Sequence, residues 1–234
     1  MPRASSKKAP SNSAPSNNSS AADLFRSATG KAATKELERI DQVFYSYANN
    51  SSGMIDPEGI ENLCSDLEVD HTDVRILMLA WKMQAERQGY FTLVGRINFL
   101  STTKLRKGPS NFAEFYSFAF EYCLTEEKQK SIDIESICEL LDLVLGSQFR
   151  AQVDSFVLYL RVSTSFCSSA MQLYFSFDFA YTQIDYKVIN MDQWMGFYRF
   201  CNEISFPDLK NYDAELAWPL ILDNFVDWLG AKRC

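Results

Sequence analysis

The sequence predicts an all-α fold, and three observations lead to that prediction. Of the 234 residues, 47% are hydrophobic and 14% aromatic, which is enough to bury a sizeable core. Apolar residues recur at helical spacing in KELERIDQVFYSYA, where Leu37, Ile40, Phe44 and Tyr47 share one face. Stretches rich in turn-forming residues, such as NNSSG, KGPSN and SFPDLKN, separate the periodic segments.

Further helices follow the first one in chain order. We predict them at residues 57–68, 71–87, 92–102, 110–124, 132–145, 149–162, 166–180, 190–204 and 218–229. The stretch FVLYLRVSTSF has enough β-branched and aromatic residues to pass for a strand, although the overall pattern favours helices. The helices divide into an N-terminal half, residues 33–103, and a second helical subdomain, residues 110–234.

Residues 1–32 have a different composition, dominated by Ser, Asn, Ala, Pro and Lys. Such a segment buries too little apolar surface to offset its ordering entropy, so we expect a disordered low-complexity tail. No apolar run follows the basic residues of MPRASSKKAP, so it does not resemble a signal peptide. The Gly after Met that myristoylation requires is also missing. We therefore expect a nuclear and cytoplasmic protein.

The net charge of −7 is unevenly distributed. Residues 1–30 carry four basic residues against one acidic residue, a balance of +3, so the remainder carries −10. Residues 176–229 contain nine acidic residues against Lys187, Arg199 and Lys210. Binding to a nucleic-acid backbone needs clustered Lys and Arg, so a basic protein surface is the better partner. Apolar runs are far shorter than the 18 residues of a membrane span, and we predict no membrane association.

Residues for covalent or metal-dependent catalysis are scarce. The six cysteines have no CxxC spacing, and with no secretory signal they are predicted to be reduced and mostly buried. The single histidine, His71, argues against a zinc site. None of the GxSxG, GxxxxGK[ST] or GxGxxG motifs is present. We therefore expect no catalytic nucleophile, no metal and no cofactor.

Two stretches in the N-terminal half, YANNSSGMIDPEG and MQAERQGYFTLVG, share a local pattern. Each places a Gly two residues before an apolar residue, Gly53 before Ile55 and Gly89 before Phe91, as the sixth and eighth positions of an EF-hand loop do. The first and twelfth positions would be Ala48 and Gly59 in one loop, Gln84 and Gly95 in the other, and none is a carboxylate. The pattern predicts a degenerate EF-hand-like pair without calcium, although two unrelated Gly-containing turns would give the same spacing.

Several longer stretches resemble one family. EGIENLCSDLEVD, ILMLAWKMQAE, FAEFYSFAFEY, LDLVLGSQF and above all NYDAELAWPLILDNFV are similar to the potentiating-neddylation (PONY) domain. This is the domain of the defective-in-cullin-neddylation (DCN1-like) family, and the resemblance covers about residues 36–229. It implies a scaffold-type, non-covalent ligase cofactor that promotes transfer of a Nedd-type ubiquitin-like modifier from its conjugating enzyme to a cullin lysine.

The resemblance implies a cullin-binding patch. Aligning NMDQW and AWPLILD with the family on their tryptophans puts Asp192, Ala217 and Asp223 at its Asp, Ala and Asp positions. Two carboxylates beside a small residue suit a basic side chain of the cullin winged-helix region. The residues alone also allow a plainer interpretation. Asp192 would lie in the first turn of a helix capped by Asn190, and Ala217 would precede a helix that begins at Pro219.

The resemblance also implies an apolar pocket for the acetylated N-terminal Met of the conjugating enzyme. Acetylation removes the ammonium charge, so the residue can enter an apolar slot without that desolvation penalty. Side chains at such spacing are also what a helical core requires. The corresponding residues here are Ile55, Ile60, Ile76, Leu79, Gln88, Phe91, Tyr122 and Leu143.

The predicted protein is a monomer with two docking surfaces and no catalytic side chain of its own. Holding the conjugating enzyme beside the cullin would lower the barrier by positioning alone. Two other functions remain open for this sequence. One is a helical protein-interaction module without a role in modification, and the other is an EF-hand-like calcium sensor.

Overall fold

The computed structural model describes residues 34–35, 37–93, 111–165 and 186–232. The chain forms two compact units, Met1–Phe44 and Tyr45–Cys234. The described residues of the first unit are helical. The predicted tail, residues 1–32, lies outside the described residues, as do the predicted helix at 166–180 and most of the one at 92–102.

The second unit is mostly helical. After helical residues 45–47 come α1 (Pro57–Asp66), α2 (Val74–Met83), α3 (Asn111–Tyr122), α4 (Ile134–Leu145), α5 (Arg150–Ser165), α6 (Met191–Glu203) and α7 (Leu220–Ala231). Each overlaps a helix predicted from the sequence. The ambiguous stretch FVLYLRVSTSF is helical as far as Ser165, the end of α5.

Two short strands correct the all-α prediction. Strand β1 (Ser131–Asp133) pairs antiparallel with β2 (Val188–Asn190), and Ile132 lies opposite Ile189. Both isoleucines are buried, and each strand leads directly into a helix, β1 into α4 and β2 into α6. Three residues are too few for an alternating pattern to stand out, and the partners are far apart in sequence. The strands fix the starting points of α4 and α6.

Asp and Asn side chains determine where several helices begin. The side chains of Asp56, Asp73 and Asp133 accept hydrogen bonds from backbone amides of the first turns of α1, α2 and α4. At α6 the cap is reciprocal: Asn190 accepts from the Gln193 amide, and the Gln193 side chain accepts from the Asn190 amide. These bonds satisfy amides that have no partner within the helix.

The core of the second unit is aromatic. The Tyr116 and Trp194 rings of α3 and α6 stack at 4.2 Å between centroids, and Trp194 Nε1 donates to the Tyr116 carbonyl at 2.9 Å. The Tyr116 hydroxyl donates in return to the Trp194 carbonyl at 3.2 Å. Phe156 of α5 stacks on Phe197 of α6 at 4.1 Å and meets Phe225 of α7 edge-on at 5.0 Å. These contacts pack α6, which carries Asp192, and α7, which carries Asp223, onto the core.

The four described cysteines are free thiols, and three of them, Cys64, Cys138 and Cys201, are buried. Burial raises the pKa of each of these thiols, which keeps them protonated. Within the described ranges, no helix combines the length and apolar character needed to cross a membrane.

Candidate functional site

Asp192 lies in the first turn of α6, and its side chain is exposed. The capping box formed by Asn190 and Gln193 fixes the start of this helix, so the position of the Asp192 backbone is well defined. A carboxylate there also interacts favourably with the helix dipole. Among the described residues, no basic side chain forms an ion pair with Asp192.

Gly196 allows α6 to approach the segment that precedes α7. A Cβ atom at Gly196 would lie 2.6 Å from Pro219 Cγ and 3.4 Å from Leu222 Cδ1. Only glycine fits this close approach without a shift of Pro219 or its neighbours. Asp192 precedes Gly196 by one helical turn, and Ala217 precedes Pro219 by two residues. The contact therefore brings the elements that carry Asp192 and Ala217 together.

Ala217 is exposed, and its backbone is held by Arg199 of α6. Arg199 Nη1 lies 3.5 Å from the Ala217 carbonyl oxygen, and the guanidinium carbon lies 4.1 Å from the centroid of the Trp218 ring. Arg199 Nε also donates to Glu203 Oε2 at 2.9 Å, one turn later in the same helix. Trp218 is buried and stacks on Tyr212 with the ring centroids 5.5 Å apart. The contacts of Arg199 and Trp218 therefore hold the backbone at Ala217 in place.

Asp223 lies in the first turn of α7 and is half-buried. The Tyr212 hydroxyl donates a hydrogen bond to its Oδ1 atom. Burial, followed by the hydrogen bond and charge of Asp223, raises the pKa of Tyr212 well above its usual value. The phenol therefore stays neutral at physiological pH. A carboxylate can accept several hydrogen bonds, so Asp223 can accept further ones while it is bonded to Tyr212.

Two nearby basic side chains pair with other carboxylates. Arg199 pairs with Glu203, and Lys210 Nζ lies 3.1 Å from Asp208 Oδ2. Neither of these pairs involves Asp192 or Asp223. Ala217 and Asp223 each have a described contact, with Arg199 and with Tyr212, and α6, which begins near Asp192, packs against Pro219 through Gly196.

The predicted peptide pocket draws on residues of very different exposure. Ile55, Ile60 and Phe91 belong to the core, with 4%, 8% and 1% of their surfaces exposed. Ile55 and Phe91 exchange backbone hydrogen bonds of 3.0 and 2.9 Å, which join the two Gly-containing loops. Gly53 and Gly89 adopt φ values of +67° and +80°, a region that favours glycine.

The other predicted pocket residues are more accessible. Ile76, Leu79, Tyr122 and Leu143 are half-buried, and Gln88 is exposed. Tyr122 and Leu143 pack against the core cluster of the second unit. The Tyr122 hydroxyl accepts a hydrogen bond from the Gly89 amide at 3.2 Å, next to Gln88. The structure thus brings Tyr122 to the loop that contains Gln88 and Phe91.

Gly59, the residue predicted for the twelfth position of an EF-hand-like loop, has no room for a side chain. A Cβ atom there would lie 2.2 Å from the Tyr47 carbonyl oxygen, so any larger side chain requires α1 to move. A calcium-binding loop needs a bidentate Glu at that position. In the described part of the chain, no group of three or more His, Cys, Asp or Glu side chains is placed to hold a metal.

A separate cavity of about 290 Å³ lies between α4 and α5. It contains none of the predicted site residues. Its lining consists of Cys138, Glu139, Asp142, Val153, Asp154, Val157 and Arg161.

Sequence reasoning missed Gly196, Arg199 and Tyr212 as supports of the predicted patch. Arg199 and Glu203 have the i,i+4 spacing of a helical ion pair, but that spacing carries no information about Ala217. Tyr212 stands in the NYD stretch that opens the family-like motif, and its contact with Asp223 depends on the turn between them.

Comparison with known proteins gives consistent matches. A family profile described as cullin binding matches residues 97–228. The chain is 33% identical over 206 residues to DCN1-like protein 4 of Homo sapiens, covering 81% of this chain and 62% of that protein. It is 30% identical over 208 residues to DCN1-like protein 5 of Homo sapiens, covering 81% of this chain and 76% of that protein. It is 32% identical over 197 residues to DCN1-like protein 2 of Dictyostelium discoideum, covering 76% of this chain and 64% of that protein. The chain thus spans less than two thirds of the length of the first of these relatives.

Proposed function

The chain belongs to the DCN1-like family, and we propose that it binds a cullin and promotes transfer of a Nedd-type modifier to a cullin lysine. The observation that carries this proposal is the cullin-binding match over residues 97–228, a range that includes Asp192, Ala217 and Asp223. The names of the relatives support membership of the same family.

The cullin-docking patch consists of Asp192, Ala217 and Asp223 in this proposal. A basic side chain of the cullin forms charge-assisted hydrogen bonds with the two carboxylates. Its aliphatic stem rests on the exposed Ala217 methyl group. The neutral Tyr212 partner of Asp223 and the pairing of Arg199 with Glu203 support this role, since both leave negative charge for the partner.

The conjugating enzyme binds at the other predicted surface. Its acetylated N-terminal Met contacts the half-buried Ile76, Leu79, Tyr122 and Leu143, with Gln88 at the rim. Ile55, Ile60 and Phe91 support this surface from the core, as their low exposure suggests. The two loops form an EF-hand-like pair, supported by the paired Ile55 and Phe91 and by the left-handed Gly53 and Gly89.

The mechanism is positioning. The protein holds the charged conjugating enzyme beside the cullin, so that the thioester and the acceptor lysine meet in a reactive geometry. Fixing two reactants in this way supplies several kcal/mol of barrier lowering, roughly up to 7–11 kcal/mol in well-oriented systems. No side chain of this protein needs to form or break a bond.

A reconstituted cullin-modification assay tests the proposal. Purified cullin, modifier, activating enzyme and conjugating enzyme are combined with and without this protein, and the rate of modification is measured in single turnover. We expect acceleration by the wild type and none by Asp223→Lys. An unchanged rate with the wild type would refute a role in modification and leave the interaction-module and calcium-sensor alternatives.

A calcium sensor is the second candidate, favoured only by the paired Gly-containing loops. The close contact of Gly59 with the Tyr47 carbonyl argues against it. Calorimetric titration with calcium decides the point, and we expect no heat of binding.

A further inference from the structure

Leu216 and Leu220 are exposed aliphatic side chains on either side of Ala217. Their exposed fractions are 47% and 61%, and Leu220 is the most exposed large apolar residue in the described part of the chain. Neither side chain is buried in the core, so packing within the protein does not explain why both residues are apolar. Two leucines that are open to water within five consecutive residues form a local apolar surface.

The backbone that carries these leucines is rigid. The Trp218 amide donates to the Leu216 carbonyl at 2.7 Å, and the Leu216 amide donates to the Asp213 carbonyl at 3.2 Å. Trp218 Nε1 adds a bond of 3.1 Å to the same Asp213 carbonyl. Leu216 is therefore held by an ordered turn and Leu220 begins α7, which lowers the entropy cost of docking at both residues.

We propose that Leu216 and Leu220 are the apolar part of the cullin-docking surface and select a cullin segment in which apolar side chains flank the basic residue. This inference rests on the proposed function of Asp192, Ala217 and Asp223. The carboxylates supply charge complementarity and steering, whereas the leucines supply apolar contact area. A protein interface usually has an apolar centre that supplies most of the binding energy and a surrounding rim of polar groups.

Continuity with the proposed patch supports this occupant. Leu216 precedes Ala217 directly, and Leu220 is the first residue of α7, one turn before Asp223. Gly196 brings α6, with Asp192 at its start, against Pro219 beside Leu220. The two leucines therefore adjoin the segments that carry Asp192, Ala217 and Asp223.

The test measures the affinity of a purified cullin C-terminal domain for Leu216→Ala, Leu220→Ala and the double variant. Leu158→Ala on α5 is the matched control, since Leu158 is also 47% exposed. Asp223→Asn reports on the charged part of the patch. Affinities are measured at about 50 mM and about 500 mM salt, since salt screens the charged contacts more than the apolar ones. Circular dichroism and thermal melting check each fold.

We expect each leucine variant to bind at least about fivefold more weakly, by a similar factor at both salt concentrations. Asp223→Asn should lose affinity mainly at low salt, and Leu158→Ala should bind as the wild type does. Wild-type affinity of the leucine variants beside a weakened Asp223→Asn overturns this inference and leaves the proposed function standing. If Asp223→Asn also binds normally, the proposed docking patch fails.

Two further outcomes would overturn the inference. An equal loss in Leu158→Ala would mean that general surface hydrophobicity governs binding. Sedimentation of the wild type as a dimer and of Leu220→Ala as a monomer would make a second copy of this chain the occupant.

Discussion

The Tyr212 hydroxyl donates a hydrogen bond to Oδ1 of Asp223, across the turn that leads into α7. Because the pKa of Tyr212 is raised, the phenol keeps its proton and orients the carboxylate by donating to it. Orientation matters for recognition of a basic side chain, since charge-assisted hydrogen bonds depend on geometry. The half-buried Tyr212 therefore holds the Asp223 side chain in one orientation, as the proposed docking patch requires.

Replacing Asp223 with Lys should abolish cullin binding. The variant places a positive charge where we propose that a basic side chain of the cullin docks, and we expect a loss of about 2–5 kcal/mol in binding free energy. Surface plasmon resonance with a purified cullin domain measures the affinity, and far-UV circular dichroism should remain unchanged. Glu127→Lys, at an exposed turn, makes the same change in net charge and should bind normally. Equal cullin affinity of wild type and Asp223→Lys refutes the patch.

Replacing Ile76 with Arg should weaken binding of an acetylated N-terminal peptide from the conjugating enzyme. Ile76 is half-buried on α2, and a charged side chain there would face desolvation and remove apolar contact. We expect a loss of at least about 1.5 kcal/mol by isothermal titration calorimetry. Met78→Arg is the control, because Met78 lies on the same helix and is 42% exposed. Unchanged affinity of a folded Ile76→Arg contradicts the pocket.

Two glycines in helices should respond to alanine in opposite directions. Gly59→Ala places a Cβ atom 2.2 Å from the Tyr47 carbonyl oxygen, and we expect a loss of about 1–3 kcal/mol in the free energy of unfolding. Gly230 of α7 has no atom within 4 Å of a new Cβ, so Gly230→Ala should add about 0.5–1 kcal/mol. Urea unfolding measures both. A Gly59→Ala variant as stable as the wild type would mean that α1 relaxes freely.

Asp73 should make stability depend on pH below 4. Hydrogen bonds from the Arg75 side chain and amide lower the pKa of this N-cap carboxyl from 3.8 to about 2. Because the folded pKa lies below the unfolded one, the stabilisation is complete above pH 3.8 and is lost as the pH falls towards 2. The melting-temperature advantage of wild type over Asp73→Asn should therefore shrink across that window.

The control for this pH effect is Glu127→Gln, which removes an exposed carboxyl from a turn outside the caps. Its melting temperature should follow that of the wild type at every pH. A constant difference between wild type and Asp73→Asn from pH 5 to pH 2 would contradict the cap interaction.

The periodicity of the chain determined its helices. Apolar side chains at spacings of three and four residues, with Asp or Asn at the capping positions, act within a single helix and can be read locally. For that reason α3, α4 and α6 lie within a few residues of their predicted bounds. The resemblance of NYDAELAWPLILDNFV to one family was sufficient to identify membership, which the comparisons confirm.

Tertiary structure decided which of these local elements meet. Strands β1 and β2, the stacked pair Tyr116 and Trp194 separated by 78 residues, and the contact of Gly196 with Pro219 depend on chain segments that approach only after folding. Helical periodicity extends over a few residues and carries no information about such contacts. The same limit applies to exposure: sequence spacing could not separate Phe91, which is buried, from Leu220, which faces water, since both are large and apolar. Only the packing of the surrounding helices determines which apolar side chains remain accessible to a partner.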